Sequence, residues 1–227
     1  GAGKGLVETL AARACLVITD DAPVFFLPRM VAAAAPALSV RLECVDSIGL
    51  LPLRATDAVF PTAYSFRRLL QKLLPVHLEA APLADPLAGP PLPTLAALPE
   101  TVPGRWPAAG SDLLAARQAA LAALPIDHHV PVVNGNPGGA VAGRRVLERF
   151  LAERLSRYGD GRNHPDEEAS SGLSPYLHFG HVSPHQVLEA LAARAYWTTD
   201  RLSGRADGKK SGWWGMSEHA EAFLDEL

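Results

Sequence analysis

Three serines at positions 170, 171 and 174, with a glycine at 172, stand directly ahead of Pro175-Tyr176-Leu177-His178-Phe179-Gly180. These residue types at this spacing have the makeup of a phosphate cradle at a helix start. Ser174 is expected to be the N-cap, with Pro175 at the first helical position, where a missing N–H costs nothing. The free backbone N–H groups of that first turn, together with the hydroxyls of Ser170, Ser171 and Ser174, are suited to hold two linked phosphates. Gly172 keeps the approach open, and Gly180 is placed to end the short helix. The same serines also fit a solvated turn followed by a capped helix, and their types alone do not separate the two readings.

The elements that must position this turn are legible on both sides of it. Residues 141–158 predict an amphipathic helix that buries Val146, Leu147, Phe150, Leu151 and Leu155 and delivers Tyr158 to the cradle. Ser183-Pro184-His185-Gln186 predicts a capping box opening a helix that runs to about Tyr196. A Gly-rich basic loop over 201–215 carries Trp213-Trp214, for which core packing is the expected role. Ser217 is then expected to cap a last helix in which Phe223 and Glu226 share a face.

Upstream, residues 6–14 predict a helix, 15–19 a buried strand ended by Asp20-Asp21, 25–35 a helix starting near Pro28, and 40–45 a second strand. Strand, helix, strand implies a βαβ unit with a parallel sheet, whose remaining strands are expected to lie before residue 1. Gly1-x-Gly3-x-Gly5 has no strand ahead of it and is not a dinucleotide loop. Residues 62–74 predict a helix with Phe66, Leu69, Leu70 and Leu73 on one face and Arg67, Arg68, Gln71 and Lys72 on a solvated one. From Pro75 to Pro137 proline recurs too often for regular structure, apart from a helix expected at 111–124. His128-His129 reads as a surface pair without zinc spacing. Asn134 to Gly139 marks a boundary. The expected division is therefore an α/β part over 1–82, a connector over 83–139 and an all-α part over 140–227.

The totals describe a globular protein with 48% apolar and 20% charged residues and a net charge of −3, so any nucleic-acid contact must come from a local patch. Only four of the 21 basic residues are lysines, and that arginine bias fits GC-rich coding more than phosphate seeking. Cys15 and Cys44 are expected to be buried free thiols of a reducing compartment. No apolar run is long enough to span a membrane, and a cytoplasmic location is expected. No metal site is expected.

Taken as a string, Tyr158-x3-Arg162-Asn163-x-Pro165 followed by Ser170-Ser171-Gly172-Leu173-Ser174-Pro175-Tyr176-Leu177-His178-Phe179-Gly180 resembles the FAD-binding segment of the photolyase/cryptochrome family. The Leu-His-Phe-Gly variant is most similar to class II cyclobutane pyrimidine dimer photolyases. Residues 17–30, 45–54 and 60–68 are similar to the end of the class II α/β domain and its exit. The resemblance implies the C-terminal part of a Rossmann-like domain, a connector, and the first helices of a helical FAD-binding domain.

It also implies light-driven splitting of pyrimidine dimers in DNA by an electron from reduced FAD, with a further antenna chromophore of unknown identity. Damaged DNA is the implied partner. Tyr158, Arg162, Ser170, Ser171, Gly172, Leu173 and Ser174 carry over as cofactor-binding residues, with Leu173 expected to pack and Asn163 to help anchor the loop. Glu226 falls where relatives place the acid that hydrogen-bonds the dimer; an exposed helix-end acid is the alternative. A cryptochrome-like photoreceptor without repair activity is the other reading of the family. The chain departs from the family at His185 and Gln186, where arginine is frequent. It corresponds to only the middle half of a class II enzyme, so the 227 residues alone are expected to be inactive.

Overall fold

Val17–Asp20 (β1) and Leu42–Val45 (β2) pair in parallel, with Val17 opposite Leu42 and Asp20 opposite Val45. The helix Leu27–Ala34 (α2) connects them, giving the βαβ unit expected from the alternation of apolar runs. The computed structural model describes residues 3–131, 133 and 135–227, so Gly1 and Asn134 of the stretches singled out above lie outside the described residues. Residues Gly1–Val45 with Pro90–Asn136 form one compact unit, and Asp46–Gly89 with Pro137–Leu227 form a second.

The first unit also holds the helix Leu6–Ala11 (α1) and three short helices at Thr101–Arg105, Ser111–Leu114 and Gln118–Ala122. The single helix expected over 111–124 is broken where Ala116 takes a positive φ of 50°. This unit buries little: α2 has no buried residue, and Ile18, Met30 and Val45 stay exposed. Cys15 and Cys44 are exposed free thiols, contrary to expectation, because the two-stranded sheet leaves them uncovered.

The second unit is helical. Ala63–Leu78 (α3) starts at Thr62, whose hydroxyl accepts from the Ser65 amide at 3.2 Å. It runs through Pro75 for a further turn, beyond the expected end, with Gln71 and Leu74 on its buried side. Later helices include Ala140–Arg149 (α4), Ser174–His178 (α5), Pro184–Ala195 (α6) and Glu218–Leu224 (α7). The capping box of Ser183 and Gln186 is present in full, and Ser217 accepts from the Ala220 amide. Phe150, Leu173 and Val187 are fully enclosed at the centre of the core, with Leu191, Trp213 and Phe223 around them. Among the described residues no helix is long and apolar enough to cross a membrane.

Candidate functional site

Tyr158 arrives at the site by an irregular route. After α4 the chain makes a wide π turn over Phe150–Arg154, a tight turn over Leu155–Arg157, and a last turn over Tyr158–Gly161. The continuous helix expected over 141–158 is thus interrupted, which lets Leu147, Phe150, Leu151 and Tyr158 all face inward. The Tyr158 ring stands edge-on to Phe150 at 5.5 Å and to Phe223 at 5.3 Å. Gly143 allows α4 to press against the next layer. A Cβ there would come within 2.6 Å of Val182 and 3.0 Å of Tyr176. Tyr176 in turn donates its hydroxyl to the Pro137 carbonyl at 2.9 Å.

On this base the serine turn is only partly as expected. Leu173 is fully enclosed and occupies the position before the helix, while Ser174 is the first helical residue and makes no capping bond. Leu173 takes helical rather than extended angles, so the cap position falls one residue early and Pro175 moves to the second position. Ser171 does the local bonding instead, accepting from the Leu173 amide at 3.3 Å. Gly172 has a φ of 71°, a conformation that favours glycine whatever space surrounds it. Ser170 and Ser174 are exposed. Beneath the turn, Arg154 donates from Nη2 to the Ser171 carbonyl at 3.4 Å, while its enclosed Nε–H has no partner.

Arg162 is committed to three neighbours at once. Its guanidinium lies 5.3 Å from the centre of the Tyr158 ring, donates to the Ala222 carbonyl at 3.0 Å, and pairs with Glu226 at 2.8 Å. Glu226 follows the end of α7, and its side chain is 51% exposed. The structure therefore brings Tyr158, Arg162 and Glu226 together. Asn163 is exposed. His185 offers no substitute cation, since burial lowers its pKa and favours the neutral ring, and Gln186 is spent on the capping box.

Several organising residues escaped the sequence reading. Gln71 is buried and grips the loop backbone from both sides, accepting from the Gly208 amide at 2.8 Å and donating to the Lys209 carbonyl at 2.9 Å. Arg67 makes a two-pronged pair with Asp225 and also reaches the Gly208 carbonyl. Neither stands on a solvated face. The spacing of Gln71 with Leu74 and Leu78, three and seven residues on, was the available signal for the inward side of α3. Glu221, 2% exposed, accepts from the amides of Gly212 and Met216.

Trp213 and Trp214 are core residues, as expected, and Trp197 donates to the Trp214 carbonyl. A cavity of about 310 Å³ lies in this unit, walled by Phe66, Leu70, Trp213 and Leu227, with Lys209, Lys210 and Glu226 also on its lining. Among the described residues no group of three or more His, Cys, Asp or Glu stands placed to hold a metal ion.

Comparison with known proteins finds partial similarity to curated enzymes. The chain is 40% identical over 67 residues to the deoxyribodipyrimidine photo-lyase of Potorous tridactylus, a match covering 30% of this chain and 13% of that protein. It is 44% identical over 72 residues to the enzyme of the same name from Arabidopsis thaliana, covering 29% and 14%. The corresponding protein of Oryza sativa subsp. japonica is 44% identical over 63 residues, covering 26% and 12%. No family model matches the chain. These partial matches support the photolyase family for the chain. Its matches span well under a fifth of the length of these relatives.

Proposed function

We propose that this chain comes from a class II DNA photolyase that repairs cyclobutane pyrimidine dimers under light with FAD as cofactor. The observation that carries the reading is the similarity to proteins named deoxyribodipyrimidine photo-lyase, joined to a serine turn whose Leu173 is enclosed in the same core as Tyr158. The parallel strand pair fits the end of the α/β domain of such a protein, and the helices from residue 140 fit the start of its flavin-binding part.

The residues present fit a diphosphate. Ser170 and Ser174 offer exposed hydroxyls, Gly172 leaves the approach free of a side chain, and Arg154 has an enclosed guanidinium N–H without a partner beside the Ser171 carbonyl. Tyr158, Ser170, Ser171, Gly172 and Ser174 would hold the phosphate side of FAD, with Leu173 fixing the turn from the core. Bound and reduced, FAD supplies the light-excited electron that opens the cyclobutane ring.

The chain's own groups bind and orient. Arg162 ties the Tyr158 turn to the end of α7 and holds the Glu226 carboxylate in place. Glu226 is the group assigned to hydrogen-bond the flipped dimer, and flipping costs least at a damaged step that already stacks poorly. The 227 residues alone are not expected to carry the reaction.

The test uses the full-length protein. Absorbance between roughly 350 and 500 nm reports a bound flavin, and blue-light repair of a dimer-bearing oligonucleotide reports the reaction. Flavin with repair is the expected result. Flavin without repair would move the protein to the photoreceptor side of its family, and no flavin would overturn the cofactor assignment.

A further inference from the structure

The charge on this chain is unevenly placed. The whole carries −3, yet residues 201–212 hold four cations, Arg201, Arg205, Lys209 and Lys210, against the single carboxylate of Asp207, which leaves the segment at +3. All four cations are exposed, and two of the chain's four lysines stand here side by side. An exposed pair between Lys209 and Asp207 at 3.2 Å takes little from that field.

The loop is also held from within. Its base is closed by the Ser203 amide donating to the Trp213 carbonyl at 2.8 Å. Gln71 grips its middle at Gly208 and Lys209, Arg67 reaches the Gly208 carbonyl at 3.2 Å, and the Glu221 carboxylate receives the Gly212 amide. Gly208 has a φ of 80°, and a Cβ on it would come 2.5 Å from Arg68 Cγ, so the backbone sits close against α3. Every one of these anchors uses loop backbone and consumes none of the four cationic side chains, although Arg201 separately donates to the Ala195 carbonyl at 3.4 Å. A segment already ordered gives up less conformational entropy on binding.

Lys209 and Lys210 border the same cavity as Glu226. We propose that the 201–212 loop is a contact surface for the phosphate backbone of a DNA strand, standing beside the position where Glu226 meets the lesion. This rests on the photolyase reading given above. Lysine contacts to phosphates fix position without reading base sequence, which suits a protein that must act wherever a dimer forms. Their contribution comes with counterion release and so weakens with salt.

The experiment compares full-length wild type, K209A/K210A and K209R/K210R by fluorescence anisotropy on labelled duplexes with and without a dimer, across about 50 to 300 mM KCl. K209A/K210A is expected to shallow the slope of log K against log salt by about 2, one unit for each lost phosphate contact. Its affinity for damaged and undamaged duplex is expected to fall by the same factor. K209R/K210R is expected to keep the wild-type slope, and thermal melts confirm that all three variants are folded. A wild type that binds dimer DNA while K209A/K210A keeps its slope overturns the surface alone. A wild type that binds no DNA overturns the photolyase reading and the surface with it.

Discussion

The two compact units of this chain draw on similar apolar stretches and use them differently. In the helical unit Phe150, Leu173 and Val187 are fully enclosed, and aromatic side chains meet edge to face around Tyr158. In the α/β unit the strands form with correct parallel register, yet Ile18 is 63% exposed and Ala11 and Val102 are the buried apolar residues among those described. Local patterning is enough to set an element's type, while stability depends on what the element is packed against.

The sharpest way to break that contrast is a pair of truncations. Phe150→Ala removes a fully enclosed ring and is expected to cost about 3–5 kcal/mol, abolishing a cooperative urea transition of the helical unit. Ile18→Ala in β1 is expected to cost less than about 1 kcal/mol, because most of that side chain already meets water. Equal losses in urea melts of the two variants would show that the units are not packed so differently.

A polar probe of the packed unit comes next. Glu221→Ala leaves the amides of Gly212 and Met216 without their acceptor and is expected to cost about 2–4 kcal/mol. Hydrogen exchange at those two amides should accelerate more than at the core of α6. Full protection at both would mean that the loop is held by other contacts.

The serine turn then sharpens the difference between packing and binding inside one unit. Ser171→Ala with Ser174→Ala is expected to weaken FAD retention by about 1.5–3 kcal/mol per lost charge-assisted bond. Stability should fall by only about 0.5–1.5 kcal/mol, through the lost Ser171 bond to the Leu173 amide, since Ser174 caps nothing here. Unchanged flavin content after dialysis of the full-length variant would sink the phosphate assignment.

The smallest effect expected is on pH. Burial holds the pKa of His185 below its ordinary value of 6.5, so the unfolded chain binds a proton that the folded one resists. That contribution is complete above the ordinary value and is lost as pH falls below it. The helical unit should therefore loosen as pH falls below the ordinary value of 6.5, and His185→Gln should flatten that part of the pH profile of its melting temperature. A profile identical in both proteins would remove His185 as the cause.

Much of the helical unit was legible because its signals are local. Ser183 with Gln186, and Ser217 before α7, are caps whose partners lie three residues away. The βαβ alternation was legible for the same reason. What the sequence concealed are the long-range choices. Nothing near Gln71 tells that its amide will hold Gly208 and Lys209, and nothing near Arg67 tells of Asp225. Ser174 misled because a cap depends on the backbone angles of the preceding residue, and Leu173 is drawn into the core in a helical conformation. The serine turn and the delivery of Tyr158 were read from spacing and their FAD role from resemblance, while the Arg162 link to Glu226 became visible only once α7 had folded over the turn.

The wide turn at Phe150–Arg154 gives this part of the molecule an angular setting as well as a position. Each residue of a helix advances the chain by about 100° around its axis, so the count of residues between Leu147 and Tyr158 fixes which way the tyrosine points. Removing one residue from the wide turn would leave composition, charge and hydrophobicity almost untouched and still swing Tyr158 toward water. The chain is thus more sensitive here to length than to chemistry. A single-residue deletion should do more damage at 150–154 than most substitutions, and a compensating insertion before Tyr158 should restore the ring to its place between Phe150 and Phe223.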